Sequence, residues 1–354
     1  MKSSVLPFIL AALLVAPPFA MAQYSAGETG NEQPEFHLMG FGDLSYVSAD
    51  GTSADGFVIG QGVAHLSAAL SESLGVFGEF SATARDSEYS FEIERLIVKY
   101  DFSDRFKLSA GRYHTPIGYW NSAFHHGAWL QTSVLRPEMV KFGSRVVPIH
   151  FVGILLEGNL PSTELGLNYK AGLGNGRHSN IARAGDAGDV NGDRAWMLQI
   201  GARPRALRNL DLGIGYYTDE ISLPGEPEIG EETVSAHAAW TRERPEIIVE
   251  YLHSEHDSAL STGGVDAWYA QFAWRLPGER SEWKPYARLE SIDVDATDPL
   301  LAAIEPDYDA GILGLRWDFN HYAALKGEYR NEEFGNNGRE HNVRLQLAFV
   351  LTRL

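Results

Sequence analysis

The feature that most restricts the fold of this chain is a repeated alternation of apolar with polar or small residues. The pattern runs from about residue 35 onward, in segments of roughly ten residues separated by connections. Because successive side chains of a β-strand point to opposite faces, each segment predicts a strand with one apolar face. Sixteen segments can be distinguished: 35–46, 57–70, 74–84, 91–102, 105–113, 147–158, 164–174, 194–203, 209–218, 233–241, 246–255, 266–276, 283–292, 308–319, 323–331 and 342–351.

The last segment shows the alternation most clearly. One face carries Val343, Leu345, Leu347, Phe349 and Leu351, and the other carries Asn342, Arg344, Gln346, Ala348 and Val350. A soluble β-sandwich also alternates, but segments near ten residues match the length that a tilted strand needs to cross a bilayer. Aromatic residues near the segment ends resemble the interfacial girdles of outer-membrane barrels: Tyr46, Tyr100, Phe102, Trp196, Trp240, Trp274, Trp317 and Phe319.

The connections between segments alternate in length. Those after even-numbered segments are short, such as 71–73 and 103–104, whereas those after odd-numbered segments are mostly longer, such as 47–56 and 175–193. Short periplasmic turns and long outer loops are typical of bacterial outer-membrane barrels, which have an even strand number and no free edge. The sequence therefore predicts an all-β protein, a transmembrane antiparallel β-barrel of about sixteen strands.

One segment departs from simple alternation. In 91–102, Glu92 and Glu94 share the parity of the apolar residues that follow. The two carboxylates therefore either lie above the apolar band, or a β-bulge shifts the register.

The N-terminus has the pattern of a secretory signal peptide. Lys2 precedes an apolar run from Val5 to Val15, a proline pair follows, and Ala20 and Ala22 stand at small-residue cleavage positions. We therefore expect a signal peptide over 1–22, an N-terminal lead-in over 23–34 and the barrel over 35–354. The predicted location is the outer membrane of a Gram-negative bacterium.

Composition excludes several classes of function. After residue 22 no stretch of 18 consecutive apolar residues is present, which argues against a helical membrane protein. The chain has no cysteine, so cysteine supplies no disulfide, metal ligand or nucleophile. A net charge of −18 argues against a nucleic-acid partner.

The third outer connection, 114–146, is by far the longest, and loops of this length are usually functional. We expect it to fold inward and narrow the lumen; the alternative is a loop that caps the outer mouth. It supplies His114, His125, His126, Arg136, Lys141 and Arg145 as candidate constriction residues. The strands supply further candidate pore-lining residues: Arg95, Lys99, Lys107, Arg112, Lys284, Arg288, Glu290, Arg316, Lys326 and Arg344.

Two patterns resemble metal sites, but neither leads us to predict one. His125 and His126 with His114 offer imidazoles, yet adjacent side chains on an extended chain point apart and no accompanying carboxylate pattern is evident. The stretch 185–193 resembles a calcium loop without the acidic residue at its twelfth position, so an acidic outer loop is the preferred interpretation. The sequence predicts no metal site and no cofactor.

The residues that alternate with the apolar ones along each segment are expected to face the lumen. They include twelve basic and eight acidic side chains. The basic ones are Arg95, Lys99, Lys107, Lys170, Arg203, Arg275, Lys284, Arg288, Arg316, Lys326, Arg330 and Arg344. The acidic ones are Asp43, Glu79, Asp211, Glu246, Glu250, Glu290, Asp318 and Glu328. A basic wall favours anions, unless the opposite charges neutralise one another as cross-wall pairs.

The stretch from Phe57 to Tyr119 resembles the phosphate-selective porin O and P family. The run from Phe91 to Trp120 carries the likeness, above all LSAGRYHTPIG at 108–118, and Lys284 to Arg288 (KPYAR) and Asn175-Gly176 also fit. The resemblance implies a sixteen-stranded, usually trimeric porin for small anionic or polar solutes. The third loop departs from that family, having only Arg136, Lys141 and Arg145 with a histidine pair, so phosphate selectivity is not carried over.

The expected function is passive diffusion of small hydrophilic solutes, with anions favoured, through a lumen narrowed by the third loop. The expected partners are these solutes, outer-membrane lipid and two further copies of the chain in a homotrimer. Two alternatives are a barrel-embedded hydrolase and a surface adhesin or structural outer-membrane protein. The chain contains neither a G-x-S-x-G nor an H-E-x-x-H motif, and we predict no enzymatic activity and no catalytic residue.

Overall fold

The computed structural model describes residues 34–50, 55–85, 88–124, 126–161, 164–335 and 338–352. The chain divides into two units, Met1–Gln33 and Pro34–Leu354, and the described residues all belong to the second. The predicted signal peptide and the lead-in up to residue 33 lie outside the described residues, as does His125.

The second unit is a closed antiparallel barrel in which each of the sixteen predicted segments forms a strand. Every strand pairs with its neighbours in sequence, and the first pairs with the last, so the sheet has no free edge. The strands are β1 (Glu35–Ala49), β2 (Gly56–Ala69), β3 (Leu74–Ala84), β4 (Tyr89–Ser103), β5 (Phe106–His114), β6 (His150–Asn159), β7 (Leu167–Asn175), β8 (Arg194–Ala202), β9 (Leu210–Ile221), β10 (Ile229–Thr241), β11 (Glu246–Ser258), β12 (Thr262–Ala273), β13 (Trp283–Val294), β14 (Tyr308–Asn320), β15 (Ala323–Phe334) and β16 (Arg339–Thr352).

Helix is limited, over the described ranges, to one turn of α-helix and three 3₁₀ turns. The α-helical turn, α1, is Trp120–Ala123, and the 3₁₀ turns are Glu138–Val140, Arg205–Leu207 and Gly278–Arg280. None of these is long and apolar enough to cross a bilayer.

The outer face of the barrel is apolar. On β16 the predicted outward residues Val343, Leu345 and Leu347 are 47%, 48% and 37% exposed, whereas the alternate residues Asn342 and Gln346 are buried inside. Large exposed apolar side chains recur on the outward face of strands all around the barrel. Such a continuous apolar exterior requires lipid to cover it, and a closed barrel satisfies its own backbone groups there. This is the surface of an outer-membrane barrel.

Aromatic side chains cluster near the strand ends, as the sequence predicts. We call the end of the barrel with the connections 70–73 and 104–105 the turn end, and the opposite end the loop end. At the turn end the rings of Trp283 and Trp317 stack at 5.1 Å between centroids. At the loop end Tyr46 and Phe57 pack edge to face at 5.1 Å. Aromatic rings at these levels mark the two membrane–water interfaces.

The irregularity predicted in the fourth segment is a β-bulge. The β3–β4 register shifts between Glu79 and Phe80, which pair with Arg95 and Ile93, so Glu94 is the extra residue. Phe91 and Ile93 consequently point outward, and Glu94 is buried inside the barrel. Of the two alternatives open for Glu94, the shifted register is therefore correct.

The alternation of connection lengths predicted from the sequence, in contrast, is wrong for one pair of connections. The β11–β12 connection at the loop end has three residues, 259–261, whereas the β12–β13 connection at the turn end has nine, 274–282. Several strands continue pairing toward the loop end beyond the predicted bounds, and β9 and β10 absorb Asp219, Glu220, Glu231 and Glu232, which the sequence assigned to a loop. Hairpins that keep pairing lengthen their strands at the expense of their loops.

Candidate functional site

The third loop, residues 115–149 between β5 and β6, lies inside the barrel. Its apolar side chains are among the most buried in the protein: Trp120 and Val140 have no exposed surface, and Val146 and Val147 are 1% exposed. They form one apolar cluster with inward residues of the wall, including Ile248, Leu252 and Tyr269. A loop that buries this much apolar surface has a defined position.

The base of the loop is closed by its own residues. The backbone N–H of Thr115 donates to the carbonyl of Ile149 at 3.0 Å, which continues the β5–β6 pairing by one step. The side-chain amide of Asn121 donates to both carbonyls, of Thr115 at 2.8 Å and of Ile149 at 3.0 Å. The polypeptide therefore leaves and re-enters the wall at one point, and the intervening residues enter the lumen together.

Carboxylates of distant strands hold the first half of the loop. Glu250 on β11 accepts hydrogen bonds from the backbone N–H groups of Tyr119 and Trp120, both at 2.7 Å. Glu246 on the same strand accepts from the hydroxyl of Thr132 at 3.0 Å. Backbone donors bonded to a carboxylate form strong, charge-assisted hydrogen bonds. The loop thus reaches across the lumen from β5 to β11.

Basic side chains hold the apex of the loop from β13, β14 and β15. Arg288 donates to the Leu135 carbonyl at 3.1 Å, Arg316 donates to the carbonyls of Trp129 and Gln131 at 2.8 Å, and Lys326 donates to the Ser133 carbonyl at 3.0 Å. β13 and β14 are eight strands away from β5 and β6 in the closed order, so the apex contacts the opposite wall. These three cations are buried under the loop and hydrogen-bond its backbone, and Arg288 and Arg316 also pair with Glu290 and Asp318 on their own strands.

The end of the loop is fixed by Arg177, which follows β7. Its guanidinium donates to both carboxylate oxygens of Glu231, at 2.8 and 2.7 Å, and to the Arg145 carbonyl at 2.8 Å. Burial opposes the charge of this group, but the Glu231 carboxylate outweighs burial and raises the pKa of Arg177. The bidentate pair is therefore a permanent clamp on the returning segment.

The loop also contacts the wall nearest the first strands. A ring nitrogen of His126 lies 3.1 Å from the side-chain oxygen of Gln61 on β2. Trp129 packs against a small apolar cluster formed by Phe41, Val63 and Val350. Because the loop contacts this wall as well as β11 and β13–β15, it crosses the interior of the barrel in more than one direction.

Arg136 at the loop apex has an unusual environment. It is 7% exposed, and none of its three guanidinium nitrogens has a hydrogen-bond partner among the described residues. Its guanidinium carbon lies 4.1 Å from the ring centroid of Phe142, a cation–π contact. Burial lowers the pKa of Arg136 to about 9, so the side chain remains a cation at neutral pH. Arg136 therefore places a positive charge, with hydrogen-bond donors that no described protein atom accepts, inside the barrel.

Two cavities lie inside the barrel toward the turn end. The larger, of about 960 Å³, is bordered by Tyr119 and Trp129 of the loop and by Arg275, Lys284 and Asp318 of the wall. The smaller, of about 630 Å³, is lined by side chains that include His65, Lys99, Asp101, Ser109 and Glu157. Both walls combine apolar side chains with polar and charged ones, which can contact water and hydrophilic solutes.

Most of the remaining candidate residues are paired with carboxylates. Lys284 contacts Glu246 at 2.7 Å, Arg288 contacts Glu290 at 2.7 Å, Lys107 contacts Asp101 at 3.5 Å, and Lys99 contacts Glu157. Arg95 lies 2.5 Å from Glu79, Arg112 lies 2.7 Å from Asp186, Lys141 lies 2.5 Å from Glu138, and Arg145 lies 3.3 Å from Glu305. Arg344 donates to the Asn342 side chain at 3.2 Å.

These pairs correct the charge tally made from the sequence. The tally omitted Glu94, which the bulge turns inward, and Glu157, which pairs with Lys99. It also omitted Glu332, which binds Arg330 at 2.9 Å. The wall is consequently closer to charge balance than twelve bases against eight acids, as expected if cross-wall pairs stiffen the barrel. The resemblance of 185–193 to a calcium loop also fails to give a ligand set, since Asp186 and Asp189 contact Arg112 and Arg194.

Sequence reasoning missed the groups that position the loop. Glu250 and Glu328 were recognised as inward acids, but the sequence carries no sign that they accept loop N–H groups; Val134 N–H donates to Glu328 at 3.0 Å. Arg177 and Glu231 were missed altogether, because both lay in segments assigned to outer loops. The one sequence signal that we can identify for a loop anchor is an inward carboxylate paired with an inward aromatic residue on the next strand, as Glu250 is paired with Tyr269.

Replacement of Glu250 by alanine is expected to loosen the first half of the loop while leaving the barrel intact. The substitution leaves two backbone N–H groups and the Tyr269 hydroxyl without their acceptor, at a cost of about 1–3 kcal/mol. Cleavage of the folded protein within 119–135 by a small protease should therefore accelerate roughly tenfold, since about 1.4 kcal/mol corresponds to a factor of ten. Glu255→Ala, outward on the same strand, is the control; equal cleavage of both variants would contradict the anchoring role.

Comparison with known proteins supports the architecture. No family model and no curated protein sequence matches the chain. Among solved structures, an anion-selective porin from Comamonas acidovorans superposes with a TM-score of 0.64 at 11% identity, over 90% of this chain and 100% of that chain. The chain has the fold of outer-membrane porins.

Two further solved structures show the same architecture. The outer membrane channel DcaP of Acinetobacter baumannii has a TM-score of 0.59 at 12% identity, over 92% of this chain and 100% of that chain. OmpT, an outer membrane protein of Vibrio cholerae, in a trimer form, has a TM-score of 0.60 at 14% identity, over 90% and 99% of the two chains. At these identities the similarity concerns the porin fold and leaves the solute open.

Proposed function

We propose that this protein is an outer-membrane diffusion channel for small hydrophilic solutes, with its third loop as the constriction. The observation that carries the proposal is the path of that loop, which crosses the interior of a lipid-facing closed barrel and is held by buried groups on opposite walls. The partly charged cavities toward the turn end support it, because a barrel filled only for stability has no need of them. A tightly packed loop favours a narrow channel.

Liposome swelling tests this proposal. Proteoliposomes are placed in isotonic solutions of uncharged sugars of increasing size, and swelling reports entry. We expect swelling with small sugars and a sharp size limit, because the loop occupies most of the cross-section. Equal impermeability to all solutes, by liposomes that contain correctly folded protein, would remove the channel assignment.

We further propose that Arg136 gives the channel a preference for anions. Its buried guanidinium has donors that no described protein atom accepts, and anions are the ligands that satisfy such a group. Replacement of Arg136 by glutamine is therefore expected to lower the anion-to-cation permeability ratio several-fold. The measurement is the reversal potential of channels in a salt gradient.

Two variants control for indirect effects. Arg136→Lys retains the charge and should retain most of the preference, whereas Arg145→Gln, which removes a half-exposed cation of the same loop paired with Glu305, should change little. A cation preference in the wild type, or an equal effect of Arg136→Gln and Arg145→Gln, would contradict the role of Arg136. The resemblance to phosphate-selective porins remains a prediction. It can be tested by adding phosphate and measuring whether the chloride current through the channel is blocked.

We infer that the chain assembles as a homotrimer in the membrane, in contact with outer-membrane lipid. The fold of a trimeric solved relative supports this inference. Native mass spectrometry from a mild detergent should give three chains per particle, and a monomer under all mild conditions would contradict it.

The hydrolase alternative lacks a supporting arrangement. A serine hydroxyl is hydrogen-bonded to a histidine at Ser179, which contacts His178 at 3.1 Å, and no described carboxylate pairs with that imidazole. The contacts of the described acidic residues likewise favour a channel over an adhesin, because many of them serve internal pairs.

A further inference from the structure

Three histidines that are far apart in sequence meet inside the barrel. His114 ends β5 and His150 begins β6, and the two are direct partners in the β5–β6 register. His126 comes from the third loop. One ring nitrogen of each of the three side chains lies within 4.8 Å of the others, and all three side chains are at least nine-tenths buried. We call these three residues the histidine cluster.

A carboxylate adjoins the cluster because of the β-bulge. Glu94 points inward, and its Oε2 atom lies 3.1 Å from Nε2 of His126 and 3.0 Å from Nε2 of His150. Ligands of a tetrahedral zinc ion, at about 2.0–2.1 Å from the metal, are separated by about 3.3 Å from one another. The Glu94 oxygen lies at nearly this distance from the Nε2 atoms of His126 and His150. The ligand nitrogens of the three imidazoles lie within 4.8 Å of one another, so they would approach by up to about 1.5 Å on binding a metal ion.

The surrounding groups resemble the outer partners of a metal site. Oε2 of Glu79 lies 3.2 Å from Nε2 of His114. The hydroxyl of Ser81 donates to Oε1 of Glu94 at 2.5 Å, which leaves Oε2 turned toward the histidines. Imidazoles that bind metals usually donate their second nitrogen to a carboxylate, and ligating carboxylates are themselves hydrogen-bonded.

Positive charge near the cluster is matched by other acids. Arg95 contacts Glu79 at 2.5 Å, and Arg112 contacts Asp186 at 2.7 Å while lying 3.7 Å from Glu94. Arg95 and Arg112 thus each have a further carboxylate partner. Arg136, whose charge also acts on Glu94, has no such partner among the described residues, and Glu94 is the carboxylate that can supply its charge to a cation held among the imidazoles. Three nitrogen donors with one oxygen donor suit zinc and neighbouring divalent transition metals.

We propose that His114, His126, His150 and Glu94 bind one divalent transition-metal ion of the zinc class. Because three ligands belong to the wall and His126 belongs to the third loop, the ion ties that loop to β4, β5 and β6. This arrangement could not be predicted from the sequence, in which the adjacent pair His125-His126 is the visible feature. His150 and Glu94 come close to His114 and His126 only because the third loop returns to the wall beside β5 and the β-bulge turns Glu94 inward.

Zinc binding to the full-length protein, purified in detergent and stripped with a chelator, tests the proposal. Isothermal titration with zinc ions, and elemental analysis after gel filtration, should show one ion per chain for the wild type and its loss in His126→Gln and in Glu94→Gln. Glu79→Gln should retain binding with affinity lowered about 10–100-fold. His253→Ala, which alters a partly exposed outward imidazole on β11, should bind as the wild type does.

Folding and binding are separated by two readouts. The His126 substitution lies in a loop and leaves every strand unchanged, and heat-modified electrophoretic mobility reports whether each barrel is folded. Cobalt ions should give the absorption spectrum of a tetrahedral site in the wild type and in His253→Ala, but not in His126→Gln or Glu94→Gln. Absence of zinc from the wild type, or uptake unchanged in His126→Gln and Glu94→Gln, would overturn the site. The assay needs no ion flux, so its outcome is independent of the channel proposal.

Discussion

Ala110→Arg is expected to destabilise the barrel by about 2–4 kcal/mol, the cost of an arginine on the lipid face near the bilayer midplane. Ala110 is exposed at the centre of β5, between Val98 and Ile154, which are 48% and 45% exposed on the neighbouring strands. Phe106, the first residue of the same strand, lies at the turn-end interface. Unfolding by guanidinium in lipid vesicles measures the change.

The adjacent residue supplies a matched control. Ser109 points inward at nearly the same depth and borders the 630 Å³ cavity, where Glu157 and Asp101 can pair with a new cation. Ser109→Arg should therefore lower the free energy of unfolding by clearly less than Ala110→Arg does. If the two variants were equally unstable, or their order reversed, the assignment of lipid and lumen faces on β5 would fail.

Removal of the loop apex is expected to raise the single-channel conductance several-fold. His126 stacks on Phe142 at 4.4 Å between ring centroids, so a linker of about four glycine and serine residues, which spans at most about 14 Å, can replace residues 127–141. The shortened loop lacks the segment that Arg288, Arg316 and Lys326 hold against the opposite wall. The cross-section that this segment fills then becomes available to ions.

A second deletion controls for a general effect of shortening an outer connection. Pro224, Gly225 and Glu226 lie exposed, or nearly so, in the β9–β10 connection, and their removal should leave the conductance unchanged. Both variants should retain the heat-modified mobility of a folded barrel, because no strand is altered. An unchanged conductance after removal of 127–141 would show that the loop apex is not the barrier to flux.

The strands could be predicted because their pattern is local. A period of two with an apolar outer face follows from the pleat and from lipid contact alone, and residues such as Leu345 and Gln346 obey it without reference to the rest of the chain. Even the bulge left a local sign, since Glu92 and Glu94 had the parity of lipid-facing neighbours. The bounds were less predictable where hairpins continue pairing, as in β9 and β10.

The path of the third loop could not be predicted in detail, because its anchors lie far away in sequence. Trp120 and Glu250 are separated by 130 residues and Val134 and Glu328 by 194, and no periodicity records such pairs. Ile248 and Leu252 are apolar residues that point inward and pack against the loop. The alternation of apolar and polar residues along their strand did not predict this contact. The basic residues predicted to line a pore include several, such as Lys326, whose contacts turn out to be with loop carbonyls.

The single-channel conductance of the wild-type protein in a planar bilayer tests the central claim most directly. A lipid-embedded barrel narrowed by its third loop should give discrete, reproducible current steps that are small for sixteen strands and grow when residues 127–141 are removed. Folded, membrane-inserted protein that passes no current, with or without those residues, would contradict the account.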